Sequence, residues 1–527
     1  MAGSNAAYAQ IPHLLRSALL PILSAARQRL GVESLVLAGH LADLPSLQPG
    51  DAERARGFYA GAFAATGHVQ PDLRDFSWLA DLAATGLDLY RVFARKLVRA
   101  TKDQGRRDEF NVIASRLLAL GRHGGFLLKG ADADFRSLLQ GLIAADIRHL
   151  TRAKVRSADQ AVMQTTAVLA ATVCFGGPER LRDEAAERLA AAADAVILAD
   201  GGHASRMPSK LCETLALLVP LRQLLATQRI QLPQLLIAAI ERALPALRML
   251  CHGDGGLSLL QGGASTCATL VRKLLAETAT GNRPQLVAKQ SGFARLSLGS
   301  ATVLVDCGTG GCCDGALGFE FSDGIHRIVG PCGFPQTASA AWMAAAASRA
   351  AQSSLAIERQ AGSTAHRFAA ASRKSTSAAA VAAEVITAPN GQLFKGRSAP
   401  PATALELCHH REIFLSADGG DLRGEDRLTC GRLQESQWPG LAFAIRFHLH
   451  PKVSARFAAA DGPLALSLPD GTGWQFSARG GNLSLEDSVF LATGGPAIKS
   501  RQIVIRGLAS EARIVNWAFR RQPPVAS

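Results

Sequence analysis

The hydrophobic period of this chain changes once, near residue 285, and that change constrains the fold more than any other feature. From Asp75 to about 280, apolar residues such as Trp78 and Leu82 recur at helical spacing, which predicts amphipathic helices. Beyond the change, apolar and polar residues alternate, so that Phe319 and Phe321 share one face of a predicted strand. The sequence therefore predicts an all-helical domain followed by an all-β domain.

The helical domain is expected to be an array of antiparallel hairpins, because short Gly- or Pro-bearing joints separate successive helices. One such joint is predicted at Gly121–Gly125. The predicted helices cover residues 109–121, 132–150, 157–175, 179–199, 209–229, 233–250 and 265–277.

The second domain is expected to be an antiparallel β-sandwich, because many short strands follow one another at regular spacing. A hairpin is predicted at Gly299–Ser300, and the Ala/Ser-rich residues 336–383 indicate a partly helical excursion. Later strands are predicted at 404–415, 421–428, 442–450, 464–468, 473–477, 482–490, 501–506 and 513–520. The predicted domain limits are 1–30 for an N-terminal helical arm, 31–284 for the helical domain and 285–527 for the β domain.

The composition is that of a globular chain with a diffuse positive charge. Of 527 residues, 48% are hydrophobic and 19% are charged, and the formal net charge is +14. The basic residues are scattered, which argues against a nucleic-acid-binding stripe and is compatible with an anionic polysaccharide as partner. The ten cysteines are dispersed, so we interpret them as thiols rather than as a disulfide framework.

Neither export nor membrane insertion is predicted. The first 30 residues lack a basic start, and Arg16 and Pro21 interrupt their apolar run. No uninterrupted apolar run reaches the length of a transmembrane helix.

The stretch Ala442–Pro451, AFAIRFHLHP, is the most distinctive predicted strand. One face is fully apolar and suits a core, whereas the other carries Arg446, His448 and His450. Imidazoles two residues apart on a strand can hold a metal or act as an acid/base pair. The alternative is a strand with a solvated polar face.

A histidine and a carboxylate on the preceding predicted strands could converge with this strand. His409 opens one strand, Asp426 lies on the next, and His450 ends the distinctive strand. Two histidines and a carboxylate with an open fourth position is a known zinc geometry. The alternative is that these are solvated strand ends.

Two Gly-rich joints in the helical region carry polar side chains. His203 and Arg206 precede a long helix, where backbone N–H groups and a guanidinium suit an anionic group. His252 and Asp254 lie in a second Gly-rich joint, and such joints commonly line a cleft. The alternative for the first joint is a turn, a capping serine and a solvated Arg206.

Other catalytic templates are absent from the sequence. There is no GxSxG, HExxH, Walker or GxGxxG motif. The three tyrosines are Tyr8, Tyr59 and Tyr90, so no mechanism can draw a tyrosine from the central helices or the β domain.

The chain resembles the heparinase II/III-like proteins of bacteria, in the subgroup found in alphaproteobacteria. The resemblance extends from about residue 30 to the C-terminus. The stretches that carry it are FSWLADLAATG, ADGGHASRMPSKLCETLALLVPLRQ, LRMLCHGDGGLSLLQGG, LGFEFSDGIHRIV, LSADGGDLRGEDRL, AIRFHLHP, LPDGTGWQFSA and LSLEDSVFLA. It implies an N-terminal incomplete (α/α) toroid, similar to that of alginate and chondroitin lyases, followed by a C-terminal antiparallel β-sandwich.

The resemblance also implies polysaccharide lyase chemistry on uronic-acid sugars. A base removes the proton at C5, an acid protonates the leaving glycosidic oxygen, and a cation or metal neutralises the sugar carboxylate. The implied catalytic set is His203, Arg206, Arg446 and His448, in which His203 is the base or the carboxylate neutraliser and Arg206 grips the uronate. The implied substrate-binding residues are His252 and Asp254, and a zinc or support site would comprise His409, Asp426 and His450.

The sequence departs from the family pattern at three places. Cys312–Gly315 stands where relatives read a segment like AHAG, Gln352 stands where they carry a histidine, and Ser398–Pro401 replaces a segment like HDGY. Two functions therefore stay open: a lyase acting on an anionic, glycosaminoglycan-like polysaccharide, and a catalytically degenerate relative that binds glycan or is structural. The resemblance implies a place in the cell envelope or periplasm, with the cytoplasm as the alternative because no export signal is visible, and a homodimer is a further expectation.

Overall fold

The computed structural model describes residues 35–61, 73–102, 109–263, 268–277, 284–335, 339–358, 382–398, 407–430, 441–459, 462–492 and 496–523. The described residues of 35–197 and 213–241 form one compact unit, here called the helical unit. Those of 198–212 and 242–523 form a second, here called the β unit. The predicted arm over 1–30 lies outside the described residues, and the predicted limit at 284–285 stays a prediction.

The helices begin close to the predicted positions because the sequence supplies their N-caps. Asp132 accepts a hydrogen bond from Phe135 N at 2.6 Å, and Ser157 accepts one from Gln160 N at 3.2 Å. The helices are Ala52–Tyr59, Leu79–Ala84, Asp88–Lys102, Phe110–Leu128, Ala133–Arg152, Ala158–Cys174, Glu179–Val196, Pro208–Thr227, Gln234–Met249, Ala268–Leu275 and Ala340–Ala347.

The predicted joint at Gly121–Gly125 is wrong, since the helix Phe110–Leu128 runs through it with a local kink at His123. The glycines serve close packing instead. A Cβ on Gly124 would lie 2.9 Å from the Phe175 ring, and one on Gly125 would lie 2.7 Å from the Asp43 carboxylate.

The strands of the β unit form two antiparallel sheets, and many of their bounds match the prediction. In chain order, β1 to β17 are Val287–Ala288, Phe293–Leu298, Ala301–Asp306, Phe319–Asp323, His326–Gly330, Leu355–Ile357, Ala382–Ala388, Gly391–Ser398, Leu407–Ser416, Asp421–Cys430, Ala442–Leu449, Ser454–Phe457, Leu464–Ser467, Gly473–Arg479, Asn482–Phe490, Ile498–Leu508 and Ile514–Arg521. The first sheet has the order β1-β2-β3-β4-β5-β11-β16-β15, with β6 also paired to β11. The second has the order β12-β13-β14-β17-β10-β9-β8-β7.

An aromatic layer joins the two sheets. Phe319 and Phe447 of the first sheet contact Trp517 of the second at ring-centroid distances of 5.4 and 5.1 Å. These rings belong to one buried core that draws residues from both sheets. The alternation seen in the sequence is thus explained, because each sheet turns every second residue of its central strands toward this layer.

Candidate functional site

Both faces of strand β11 are covered, so its polar face is not solvated. The alternating apolar residues lie in the sandwich core. On the other face, Arg446 donates to Glu358 Oε1 at 2.6 Å, and His448 is 5% exposed. The sequence alternation placed these side chains on one face, but the residues that cover them were not predicted.

The imidazole of His448 is held on both ring nitrogens. Its Nε2 donates to the Ala350 carbonyl at 2.9 Å, and its Nδ1 lies 2.9 Å from the Ser488 hydroxyl. Burial lowers the pKa of His448 to about 4, so the ring is neutral at pH 7. Both nitrogens of this neutral ring are thus engaged by the protein, although the ring also lines the cleft beside His450.

His450, two residues on, has a different environment. It lines a small, shallow cleft together with Glu320, Arg327, His448 and Phe490. Its Nδ1 accepts from Lys452 N at 3.3 Å, and its ring lies 5.2 Å from that of Phe490. Burial, followed by the charge on Arg327, lowers the pKa of His450 to about 4, so a neutral imidazole faces a cleft that also holds a guanidinium.

His409 and Asp426 lie within hydrogen-bonding distance of each other, inside a buried cluster with Arg411 and Trp517. The Asp426 carboxylate accepts from His409 Nε2 at 2.6 Å, from Arg411 at 2.6 and 3.0 Å, and from Trp517 Nε1 at 2.8 Å. Burial alone would raise the pKa of Asp426, but the Arg411 charge and the His409 hydrogen bond lower it well below its usual range. The Asp426 carboxylate is therefore ionised, and both of its oxygen atoms accept hydrogen bonds from neighbouring side chains.

The predicted zinc trio does not come together. Asp426 lies on β10 of one sheet, whereas His450 follows β11 of the other. Over the described ranges, no group of three His, Cys, Asp or Glu side chains is placed to hold a metal. One nitrogen, Nδ1 of His409, is buried with no hydrogen-bond partner there. The residues do not form a zinc donor set, and zinc binding stays a prediction, which a metal-free wild-type protein would contradict.

Arg206 is built into the β unit. Its guanidinium donates to the carbonyls of Ser291 at 2.8 Å and Gly292 at 3.2 Å, and also to Gly310 O and the Asp306 carboxylate. The predicted solvated alternative does not describe it, since its side chain is 6% exposed. With these partners the Arg206 guanidinium stabilises the surrounding loop. Its role in binding the uronate carboxylate stays a prediction, because its N–H groups already donate to the protein.

His203 lies beside Arg206 and is also buried, at 3% exposure. Its Nδ1 accepts from Ser205 N at 3.1 Å and lies 2.8 Å from the Ser205 hydroxyl. This short-range contact fixes the ring within its own Gly-rich joint. Its role as base or carboxylate neutraliser stays a prediction.

His252 is the centre of a polar row that the sequence did not reveal. Its Nδ1 lies 2.7 Å from the Ser322 hydroxyl, and its Nε2 lies 2.6 Å from Glu320 Oε2. The order serine, histidine, carboxylate matches that of a hydrolytic triad, but Ser322 is fully buried and no substrate can reach it. Burial lowers the pKa of His252 despite the Glu320 hydrogen bond.

Asp254, in the same joint as His252, pairs with Arg327. The guanidinium donates to its carboxylate at 2.8 and 3.1 Å. Glu320 and Ser322, which contact His252, lie two residues apart on one predicted strand. The alternation of that strand predicts that they share a face, but it does not predict that His252 contacts them. The substrate-binding roles of His252 and Asp254 stay predictions.

Solved structures of lyases share the fold that these elements form. A heparinase III crystal structure superposes with a TM-score of 0.70 at 11% identity, covering 97% of this chain and 90% of that one. A mutant of the heparan sulfate lyase HepC from Pedobacter heparinus superposes with a TM-score of 0.65 at 13% identity, covering 97% and 89%. The predicted fold, a helical toroid followed by a β-sandwich, is confirmed.

Sequence comparisons then identify the family. The profile of the heparinase II/III-like C-terminal domain matches residues 280–518. FtsZ-localized protein C of Caulobacter vibrioides (strain NA1000 / CB15N) is 30% identical over 459 residues, which are 82% of this chain and 78% of that protein. The chain belongs to the heparinase II/III-like family, and the Caulobacter relative supports the alphaproteobacterial subgroup.

Among the helices of the described residues, none combines the length and the apolar character needed to cross a membrane.

Proposed function

We propose that this chain is a catalytically degenerate member of the heparinase II/III-like family that binds an anionic polysaccharide without cleaving it. The observation that carries the proposal is the engagement of its candidate catalytic groups. The rings of His252, His409 and His448 are buried, and each makes at least one hydrogen bond at 2.9 Å or less. The Arg206 guanidinium is shared among three carbonyls and a carboxylate.

The tyrosine inventory supports the same proposal. β-Elimination needs a base at C5 and an acid at the leaving oxygen, and resemblance to lyases implies histidine and tyrosine in these roles. The chain has no tyrosine after Tyr90. Groups that are buried, engaged or missing cannot exchange protons with a sugar, whereas a net charge of +14 still attracts an anionic glycan.

Lyase activity is the second candidate, and His450 favours it. This neutral imidazole lines the same cleft as Arg327, whose guanidinium already donates to the Asp254 carboxylate at 2.8 and 3.1 Å and would have to turn from it to meet a sugar carboxylate. In that mechanism His450 would take the C5 proton and Arg327 would stabilise the charge that develops on the uronate.

One assay separates the two candidates. Purified protein is incubated with heparan sulfate, chondroitin, alginate and an envelope polysaccharide, while the ultraviolet absorbance of unsaturated uronate is followed and binding is measured in parallel. We expect binding to at least one polyanion with no rise in absorbance. A rise that His450→Ala abolishes would establish the lyase instead. His326→Ala is the control and should preserve the rise, because the His326 ring pairs with Asp470 at 3.2 Å. Failure to bind any polyanion would overturn the glycan-binding proposal.

The relative's name supports a proposal about location. That protein is called FtsZ-localized, and we extend this to the present chain, which would then be found where FtsZ assembles. A fluorescent fusion imaged beside an FtsZ marker tests the location. The family resemblance implies the cell envelope or periplasm. Reporter proteins that are active in only one compartment, fused to the chain, distinguish this location from the cytoplasm.

A further inference from the structure

Two adjacent thiols lie in the loop after strand β3, and none of the functions above uses them. Cys312 is exposed and Cys313 is half-buried. Their sulfur atoms are 3.5 Å apart. By contrast, Cys174, Cys251 and Cys307 are buried.

Gln261 contacts both cysteines, through its side chain and its main chain. Its Oε1 accepts from Cys313 N at 3.2 Å, and its Nε2 donates to Cys313 O at 3.2 Å. Its main-chain carbonyl accepts from the Cys312 thiol at 2.9 Å. Gln261 itself has a φ of 55°, a left-handed conformation that is uncommon for a residue with a Cβ and is held here by these contacts.

Charged residues fix the loop on either side of the thiols. Asp306 accepts from both Gln261 Nε2 and the Arg206 guanidinium, and Arg206 also donates to Gly310 O. On the far side, Asp314 accepts from Arg349 at 2.6 Å. The loop that carries the two cysteines is therefore held by charged residues on both sides of the pair.

Two glycines make room for this arrangement. A Cβ on Gly262 would lie 2.6 Å from the Cys312 sulfur, and one on Gly311 would lie 2.1 Å from Gln261 Oε1. Both glycines have positive φ angles, of 72° and 108°. A side chain at either position would push Gln261 and Cys312 apart.

We propose that Cys312 and Cys313 form a reversible dithiol modification site for low-molecular-weight disulfides. The Cys312 thiolate attacks one sulfur of the reagent, the reagent S–S bond breaks, and one thiolate leaves. The Cys313 thiolate then attacks the Cys312 sulfur, which forms the Cys312–Cys313 disulfide and releases the second thiolate. Two protein thiols are oxidised, one reagent disulfide is reduced to two thiols, and the two protons pass to the leaving thiolates.

The surroundings favour Cys312 as the attacking sulfur. The hydrogen bond from the Cys313 thiol lowers the pKa of Cys312 and raises that of Cys313. Burial raises the pKa of neighbouring Cys307 to about 12, which keeps that thiol unreactive.

The product disulfide should be easily reduced. Adjacent Cα atoms lie about 3.8 Å apart across a trans peptide, whereas disulfides usually join Cα atoms roughly 4.4–6.8 Å apart. Strained, accessible disulfides are the labile ones, so the modification is reversible by a thiol reductant.

Treatment of the full-length protein with oxidised glutathione tests the proposal, with intact-mass analysis and peptide mapping as readouts. Wild type should release two glutathione thiols per chain and end with two fewer hydrogens and no adduct. Cys313→Ser should stop at one glutathione on Cys312, and Cys312→Ser should react on the order of tenfold more slowly.

The half-buried Cys430 supplies the matched control, since Cys430→Ser should leave both steps unchanged. Circular dichroism confirms that each variant is folded. A stable glutathione adduct on Cys312 of the wild type, located by peptide mapping, would overturn the proposal, as would equal rates of reaction for wild type and Cys312→Ser.

Discussion

At the scale of the residue, Asp426 shows how the β unit keeps charges inside its core. The carboxylate is 1% exposed, and Arg411, which pairs with it, is fully buried. Arg411 also donates to the carbonyls of Leu317 and Ser353 at 2.7 and 2.9 Å, and its guanidinium lies 5.4 Å from the Phe319 ring centre. Nearly every polar atom of the pair is thereby satisfied without water.

Replacement of this carboxylate should be costly. We expect Asp426→Asn to lower the free energy of unfolding by about 3–5 kcal/mol, because the Arg411 charge would stay buried without compensation. Urea unfolding measures the change. Asp421→Asn is the matched control, since Asp421 pairs with Arg423, whose side chain is 57% exposed, and such pairs contribute about 1 kcal/mol or less. Equal losses for the two variants would contradict this prediction.

His448 should make stability depend on pH. Its pKa is about 4 in the folded protein against 6.5 ordinarily, so between these values the unfolded chain binds a proton that the folded chain does not. Its stabilising contribution is complete above pH 6.5, falls as the pH drops from 6.5 to 4, and is constant below. The wild type should lose about 2 kcal/mol more than His448→Gln between pH 7 and 5.

Urea titrations at the two pH values measure this difference. His149→Gln, at an exposed helical position, is the control and should keep the wild-type pH dependence. A His448→Gln protein with the wild-type slope would show that His448 does not titrate as described.

At the scale of the element, strand β10 depends on a glycine where a large ring crosses it. Gly424 pairs with Trp517 of β17, and a Cβ on Gly424 would lie 2.0 Å from the indole. The same indole donates to Asp426 at 2.8 Å, so it cannot move aside without breaking the buried cluster. One glycine thus sets both the approach of two strands and the position of the charged pair.

We expect Gly424→Ala to lower the free energy of unfolding by about 1–3 kcal/mol or more through overpacking. Gly141→Ala is the control, because Gly141 lies within the helix Ala133–Arg152 with open space around it. That change should stabilise the protein by about 0.5–1 kcal/mol, since alanine has the higher helix propensity. Thermal or urea unfolding distinguishes the two signs, and a neutral Gly424→Ala would contradict the packing argument.

At the scale of the whole molecule, a net charge of +14 is spread over a chain whose candidate catalytic side chains are mostly engaged. A diffuse field attracts a polyanion without a single binding residue dominating. The similarity to polysaccharide lyases suggests a polysaccharide partner, and the positive charge is the reason that we propose an anionic one. The homodimer stays a prediction, which sedimentation velocity tests.

Binding to heparan sulfate should weaken as salt is added. The Debye length falls from about 10 Å at 0.1 M to about 3 Å at 1 M ionic strength, so a diffuse charge loses its effect. We expect the Kd to rise roughly tenfold or more over this range. A neutral polysaccharide is the control, and salt-independent binding to heparan sulfate would point to a short-range site instead.

Much of the fold could be predicted because it rests on local chemistry. Strand Asn482–Phe490 has the predicted bounds, and helices begin beside Asp132 and Ser157 because each caps its own chain. The joint at Gly121–Gly125 was predicted wrongly because glycine signals both a turn and a close approach, and only the distant Phe175 and Asp43 decide which applies.

The sequence by itself determined the change of period, the two fold classes and the face on which Arg446, His448 and His450 would lie, since these depend on residues a few positions apart. Only the tertiary structure decided that this face is covered. Ala350 and Glu358, which cover it, are 98 and 88 residues away from the side chains they contact. Alternation in the sequence predicts the face of the strand on which a side chain lies. The residues that contact that side chain come from distant parts of the chain, and they decide whether a histidine can act as a base or is part of the core.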